Sequence, residues 1–556
     1  MSNKITIYQV LPRLLTNTQN KNVENGTIQE NGCGKINDIT LSFLKRIKSN
    51  GFSHIWYTGI IEHATQTDYS QYGIRPDTRC IVKGKAGSPY AIKDYYDIDP
   101  DLCKDVQHRM KEFDALVDRT HKAGLKMIID FVPNHVAREY QSDSKPLGIS
   151  DLGEDDDPTK DFDVNNNFYY IPGQQLQLNF IDSGNSQYVE NPAKATGNNQ
   201  FCNTPNEYDW YETIKLNYGI NFFHNGERFF STIPNTWNKM LEILQFWAAK
   251  GVDGFRCDMA EMVPCEFWNW CIPQIKSNHP EILFIAEVYN PSLYRQYIEF
   301  GHFDYLYDKV GLYDTLCSVC KGHNSAYNIT TCWQNLQDLQ PKMLNFLENH
   351  DEQRLASDFI CKDPRKALPA LVVSSCMNTN PFMIYAGQEL GETGMDKEGF
   401  SGVDGRTSIF DYWHVKSLYK IYKGERYMTK QERDLYKYYK NVITIAHKEP
   451  CINNGKFFDL MYVNNAENGF DGNNMYAFLR SHGNEAILAI ANFNAKETQC
   501  RIHIPSHAIT YMNIKEGTYK AYDLIHQTYQ DLKIKANQET GVKITGNDAV
   551  LLKFAW

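Results

Sequence analysis

Thr236-Trp-Asn-Lys-Met-Leu-Glu-Ile-Leu-Gln-Phe-Trp-Ala-Ala-Lys250 runs through Gly251 into Gly254-Phe-Arg256-Cys-Asp258. Leu283-Phe-Ile-Ala-Glu287 follows, with 29 positions separating Asp258 from Glu287. The first segment carries apolar residues at helical spacing and ends at a glycine, a favourable helix stop. The other two are short apolar runs of β type. A helix, a strand, room for one more helix and a second strand make a βα unit, the building block of a parallel sheet.

The same habit recurs outward in both directions. Eight candidate strands are Ile5–Val10, His54–Thr58, Lys126–Asp130, Gly254–Asp258, Leu283–Glu287, Phe303–Leu306, Met343–Glu348 and Phe382–Ala386. Asp105–Ala123 is a second clear helical stretch, ending at Gly124, and Lys430–His447 a third. Eight strands with helices between them predict an α/β chain built on a (β/α)8 TIM barrel. Between Asp130 and Asp258 lie 128 positions, about a hundred more than a βα unit needs. An irregular domain is therefore expected after the third strand, over 134–234. Its middle is rich in Asp, Asn, Gly and Pro. The barrel then comprises 1–133 and 235–450. Residues 451–556 hold short strands without helical partners, as expected of an all-β sandwich.

The composition narrows the function. Net charge is −10, so no global basic field would draw nucleic acid or an anionic membrane. No apolar run approaches the ~20 residues of a membrane span. The chain opens Met-Ser-Asn-Lys without a charged and apolar leader, and its 14 cysteines are scattered, so a cytoplasmic location is expected. Cys317, Cys320, His323 and Cys332 have spacing that a zinc or redox site could use. They fall on an amphipathic helical pattern and are read as structural thiols.

Barrel enzymes carry their chemistry at the C-terminal ends of strands. Here those ends read Asp130-Phe-Val-Pro-Asn134-His135, Arg256-Cys257-Asp258, Ala286-Glu287 and Glu348-Asn-His350-Asp351. Arg256 and Asp258 are two apart and share a face. A guanidinium there favours the ionised carboxylate a nucleophile must be. Glu287 is on the neighbouring strand, close enough for the ~5–5.5 Å separation of a retaining glycosidase.

In order and spacing, D-F-V-P-N-H, G-F-R-C-D-M-A, A-E-V-Y and F-L-E-N-H-D resemble the four signature segments of the α-amylase superfamily. The resemblance extends to Thr213-Ile-Lys-Leu-Asn217 and to Ser88-Pro-Tyr90-Ala-Ile-Lys-Asp94-Tyr. It implies retaining hydrolysis of α-glucosidic bonds in maltodextrins or related oligosaccharides through a covalent glycosyl-enzyme. Asp258 would be the nucleophile, Glu287 the acid/base and Asp351 the group favouring the distorted sugar. Tyr90 would be the platform, His135 and His350 hydroxyl binders, Arg256 the group orienting the nucleophile and Arg354 a subsite residue. No cofactor is required by that chemistry. Asn134 matches a position that ligates a structural calcium in many members, with Asp161 or Asp163 as partner carboxylates.

One departure stands out. Many endo-amylases of the family carry Lys-His three and four residues past the nucleophile, where this chain has Glu261 and Met262. Short oligosaccharides are therefore expected to be preferred over starch. Two alternatives stay open on the sequence: a transglycosylase using the same site, and a non-catalytic sugar-binding or transporter-associated relative. The second would be expected to lack a carboxylate, and all three are present. A metallo-hydrolase would need more strand-end histidines than His135 and His350.

Overall fold

The computed structural model describes residues 4–181 and 188–556. The first three residues of the N-terminal reading, and six of the inserted segment, lie outside the described residues. Eight parallel strands close a barrel in sequential order. They are β1 Thr6–Val10, β2 His54–Tyr57, β3 Lys126–Phe131, β4 Gly254–Cys257, β5 Leu283–Ala286, β6 Tyr305–Tyr307, β7 Met343–Phe346 and β8 Phe382–Tyr385. The ring closes where Thr6 of β1 lies beside Phe382 of β8.

The expected strands are all present, with ends displaced by up to two residues. Asp258 and Glu287 sit one residue past the last paired positions of β4 and β5. Their backbone N–H groups still bond forward, to Phe131 and Cys257 carbonyls. β6 starts at Tyr305 and not Phe303, because the chain first turns through His302 at φ 63°. Helix Asn235–Ala249 precedes β4 and buries Trp237, Met240, Leu244 and Trp247. Gly251 and Gly124 follow their helices at φ 87° and 79°, the left-handed region where glycine carries no Cβ penalty.

Two excursions leave the barrel on its C-terminal side. After β2, Ile61–His63 pairs antiparallel with Ile92–Ile98. The loop joining them carries Tyr90. Gly87, at φ 74°, is required in that loop, since a Cβ there would lie 1.6 Å from the Ala64 carbonyl oxygen. After β3, His135–Ala137 pairs with Thr213–Lys215, and Tyr170–Ile171 with Ala193–Lys194. Ile220–Asn221 pairs with Glu227–Arg228, and the other described residues of that inserted segment are mostly turns.

The C-terminal region holds a six-stranded antiparallel sheet, ordered Lys456–Asp459, Met475–His482, Glu485–Asn492, Asp548–Ala555, Gly517–Asp523 and Thr528–Ile534. A second sheet pairs Thr498–Ile504 with Gln538–Ile544. Helix Leu368–Cys376 is buried along its whole length. It packs against β7 on one side and the Glu485–Asn492 and Asp548–Ala555 strands on the other, so it is almost wholly apolar, with Ser374 and Ser375 its buried polar residues.

Candidate active site

Arg256 organises the rim. It points into the barrel from β4, level with Asp130 of β3, and is 1% exposed. Its Nη1 donates to Asp258 Oδ1 at 2.7 Å and approaches Asp130 Oδ1 at 3.5 Å. Its Nη2 lies 2.9 Å from Glu287 Oε2 and 4.0 Å from Asp351 Oδ2, while Nε donates to the Tyr307 hydroxyl at 3.2 Å. Rings of Trp56, Tyr90 and Tyr307 surround the guanidinium at 5.4–5.6 Å. This cage sets a delocalised cation among aromatic faces and carboxylates, a combination that suits arginine better than lysine.

Asp258 and Glu287 are both nearly buried, at 6% and 4% exposure. Burial pushes the Asp258 carboxyl upward, as do the neighbouring Glu287 and Asp351, while Arg256 pulls it back. Burial is the larger influence, so Asp258 holds its proton more readily than a free carboxyl does. Next along the chain, Met259 adopts φ 43°, an uncommon value for a side chain of this kind. That turn directs its N–H to Glu287 Oε2 at 2.8 Å. The Tyr289 hydroxyl donates to the other oxygen, Oε1, at 2.6 Å.

Asp351 faces the opening, with 43% of its side chain exposed. Partial burial opposes its charge, but His350, Arg256 and Arg406 prevail and hold it down to about 2. The Gln9 amide nitrogen contacts His350 Nδ1 at 2.8 Å. Nε2 lies 3.0 Å from Asp351 Oδ2 and 2.5 Å from the Tyr90 hydroxyl. Tyr90 in turn donates to Asp130 Oδ1 at 3.2 Å, and its ring stacks on His350 at 5.1 Å. The Tyr90 loop is held from below by buried Arg13, whose guanidinium donates to the Ala86 and Ile409 carbonyls.

His135 is buried against Trp210. Burial and Lys215 lower it to about 3, so the ring is neutral and able to exchange hydrogen bonds with a hydroxyl. Arg354 departs from its expected role. It is fully buried, donates to Glu348 Oε2 at 2.8 Å and Thr407 Oγ1 at 2.9 Å, and lies 3.9 Å over the Tyr385 ring. A carboxylate on the same strand end draws it into the wall, leaving no surface for a sugar. Gln9, Trp56, Asp130, Tyr289 and Tyr307 also belong to the site, although the sequence alone assigns them no role. The register of neighbouring strands places four of them. Tyr289 was visible as the last letter of A-E-V-Y.

The calcium expected at Asn134 does not fit the residues around it. Its side-chain oxygen accepts from the Lys215 ammonium, which also donates to the Met262 carbonyl at 3.2 Å. The Asn134 amide nitrogen donates to the Gly197 carbonyl at 2.9 Å. Asp161 and Asp163 point elsewhere, Asp163 to Lys160 and the backbone of Asn165. The Lys215 nitrogen takes the place beside this oxygen that an ion would fill, and this lysine is 2% exposed. Asn134→Ala should thus respond to chelator and added calcium as wild type does, since an ion that does not bind at this site shifts nothing through it. A chelator-induced drop in the melting temperature of wild type that Asn134→Ala abolished would restore the metal to this site.

Comparison with known proteins bears on the family and the fold. The family described as "Alpha amylase, catalytic domain" matches residues 9–455. "Alpha-amylase 3" of Dictyoglomus thermophilum is 25% identical over 395 residues, covering 66% of this chain and 68% of that protein. "Neopullulanase 2" of Thermoactinomyces vulgaris is 20% identical over 421 residues, covering 75% of this chain and 59% of its own length. The chain therefore spans less than two-thirds of that relative. Among solved structures, the maltogenic alpha-amylase AmyB from Thermotoga neapolitana superposes with a TM-score of 0.63 at 19% identity, covering 99% of each chain. The alpha-amylase of Geobacillus thermoleovorans, complexed with acarbose, gives 0.63 at 16% identity over 100% of this chain and 98% of that one. The structural likenesses speak for the fold, and the match over most of the chain places this protein in the α-amylase family of glycoside hydrolases.

Proposed function

We propose that this protein is a retaining glycoside hydrolase that cleaves α-glucosidic bonds in maltodextrins or related α-glucan oligosaccharides. The observation that carries the reading is the double engagement of Arg256, at 2.7 Å to Asp258 and 2.9 Å to Glu287. One guanidinium bridging both carboxyls favours a close pair, as double displacement at a single carbon requires. Asp258 attacks the anomeric carbon as the leaving oxygen takes a proton from Glu287. Glu287 then removes a proton from water, which releases the sugar. Asp351 hydrogen-bonds the ring hydroxyls from the open side, braced by the buried His350 at 3.0 Å, with Tyr90 beneath the sugar and His135 on its flank.

A neutral carbohydrate also suits the net charge of −10, which argues against nucleic acid. Among the described residues no helix is long and apolar enough to cross a membrane. Fourteen free cysteines favour a reducing compartment such as the cytoplasm. The test of the mechanism is stereochemical. Proton NMR during the first minutes of maltooligosaccharide cleavage should reveal the α anomer before mutarotation, because two inversions restore the configuration. Initial release of the β anomer would overturn the double displacement.

A further inference from the structure

We propose that Tyr289 is a positioning residue for the general acid, and that Glu261 sets it in place. This rests on the reading of Glu287 as acid/base. The two oxygens of Glu287 are not equivalent. Oε2 accepts from the Met259 N–H at 2.8 Å and forms an ion pair, though not an aligned hydrogen bond, with Arg256 Nη2 at 2.9 Å. Oε1 has a single partner, the Tyr289 hydroxyl at 2.6 Å. Oε1 is therefore the oxygen that holds the transferable proton, and the tyrosine touches the very atom that does the work.

The chemistry of the partner fits. Burial and the nearby Glu287 and Asp351 push the Tyr289 hydroxyl far above its ordinary range, so it stays a donor throughout the working pH range. A donor to Oε1 interacts weakly while that oxygen carries a proton. It interacts strongly once the proton has passed to the leaving oxygen and the carboxylate has formed. A hydrogen bond that tightens along the reaction lowers the barrier, whereas one equally strong at both ends would not. Charged and polar groups facing Glu287 are Arg256 and Asp258 at the end of β4, Tyr307 of β6 and Asp351 after β7. None of these bonds to Oε1.

Glu261 explains how Tyr289 is held. Its Oε2 accepts from the backbone N–H groups of Tyr289 and Asn290, each at 3.0 Å. The loop after β4 thereby clasps the loop after β5 and aims the tyrosine inward. A lysine at this position would be a donor only and could not receive these N–H groups. The acidic residue at 261 and the tyrosine at 289 thus form one device. A sequence reader meets it only as a departure from the expected pair.

The experiment compares two donors that differ in their need for an acid. Tyr289→Phe should lower kcat/KM on maltotriose or maltoheptaose by about ten- to a hundred-fold, the worth of a hydrogen bond to a charged group. On α-maltosyl fluoride, whose leaving group needs little protonation, kcat/KM should stay within about two-fold. Glu261→Lys should show the same donor-dependent loss, and Glu261→Gln, whose amide oxygen still accepts, a smaller one. Equal losses on both donors, or no loss on the oligosaccharides, would overturn the proposal. Glu287→Ala is the control. If that variant is equally impaired on both donors, the acid/base assignment itself has failed, and the role of Tyr289 falls with it.

Discussion

Asp258→Ala is expected to lose turnover on every glycosidic substrate, by at least about 10⁴-fold, because no glycosyl-enzyme can form without the nucleophile. The loss should not depend on the leaving group. Glu287→Ala should fail differently. An activated aryl or fluoride glycoside leaves largely unassisted, so this variant still forms the glycosyl-enzyme and then stalls for want of a base. Azide needs no deprotonation. It should speed the second step of Glu287→Ala and yield an α-glycosyl azide. In Asp258→Ala it can act only in place of the carboxylate, giving the β-azide. NMR of the azide products separates the roles, and the opposite stereochemistry in the two variants would exchange them. Near-wild-type activity in both would mean that the site is elsewhere.

Arg256→Met should damage both activity and stability, since a single buried cation serves Asp258, Glu287 and Asp130. Breaking a buried pair by removing one partner costs about 3–5 kcal/mol. Activity should drop on the order of 10²–10³-fold or more, from lost orientation and lost charge stabilisation together. The pH dependence has a definite sign. Burial already raises the Asp258 carboxyl, and Arg256 is the chief influence lowering it. Without the guanidinium that carboxyl rises further, and the nucleophile must be ionised to act. The acidic limb of the kcat/KM profile should therefore move to higher pH. Stability should follow the same logic. A carboxyl raised in the folded state keeps its proton after the unfolded chain has lost it, so the folded state binds more protons and its stability falls as pH rises. The deficit of Arg256→Met relative to wild type should grow from mildly acidic towards neutral pH in denaturant titrations. An unchanged acidic limb would remove Arg256 from the role of charge partner.

Local pattern carried the architecture because a βα unit repeats its own signals. The run from Thr236 to Glu287 shows helix, glycine stop and strand in order, and each signal depends only on neighbours in the chain. Strand ends could be read as chemistry for the same reason. Period-two alternation already places Arg256 and Asp258 on one face. The strand Ile92–Ile98 is not legible locally because Lys93, Asp94 and Asp97 interrupt its apolar pattern. All three are buried, and Asp94 is satisfied by Ser142, Asp143 and Ser144, residues of the inserted segment. Polar residues that are satisfied at long range resemble a loop when read locally.

The carboxylate cluster and its order of strands were thus determined along the chain, where spacing and residue type suffice. Only three-dimensional packing decided which partner each side chain takes. Arg354 looks like a subsite residue until Glu348 and Tyr385 are seen to enclose it. Asn134 looks like a metal ligand until the inserted segment delivers Lys215 to its oxygen from 81 positions away. Tyr289 reaches Glu287 Oε1 only because Glu261 clasps the next loop. Hydrogen bonds and ion pairs act over about 3 Å in space without regard to separation in sequence. Closing the barrel, and folding two loops over its rim, brought those partners within that distance.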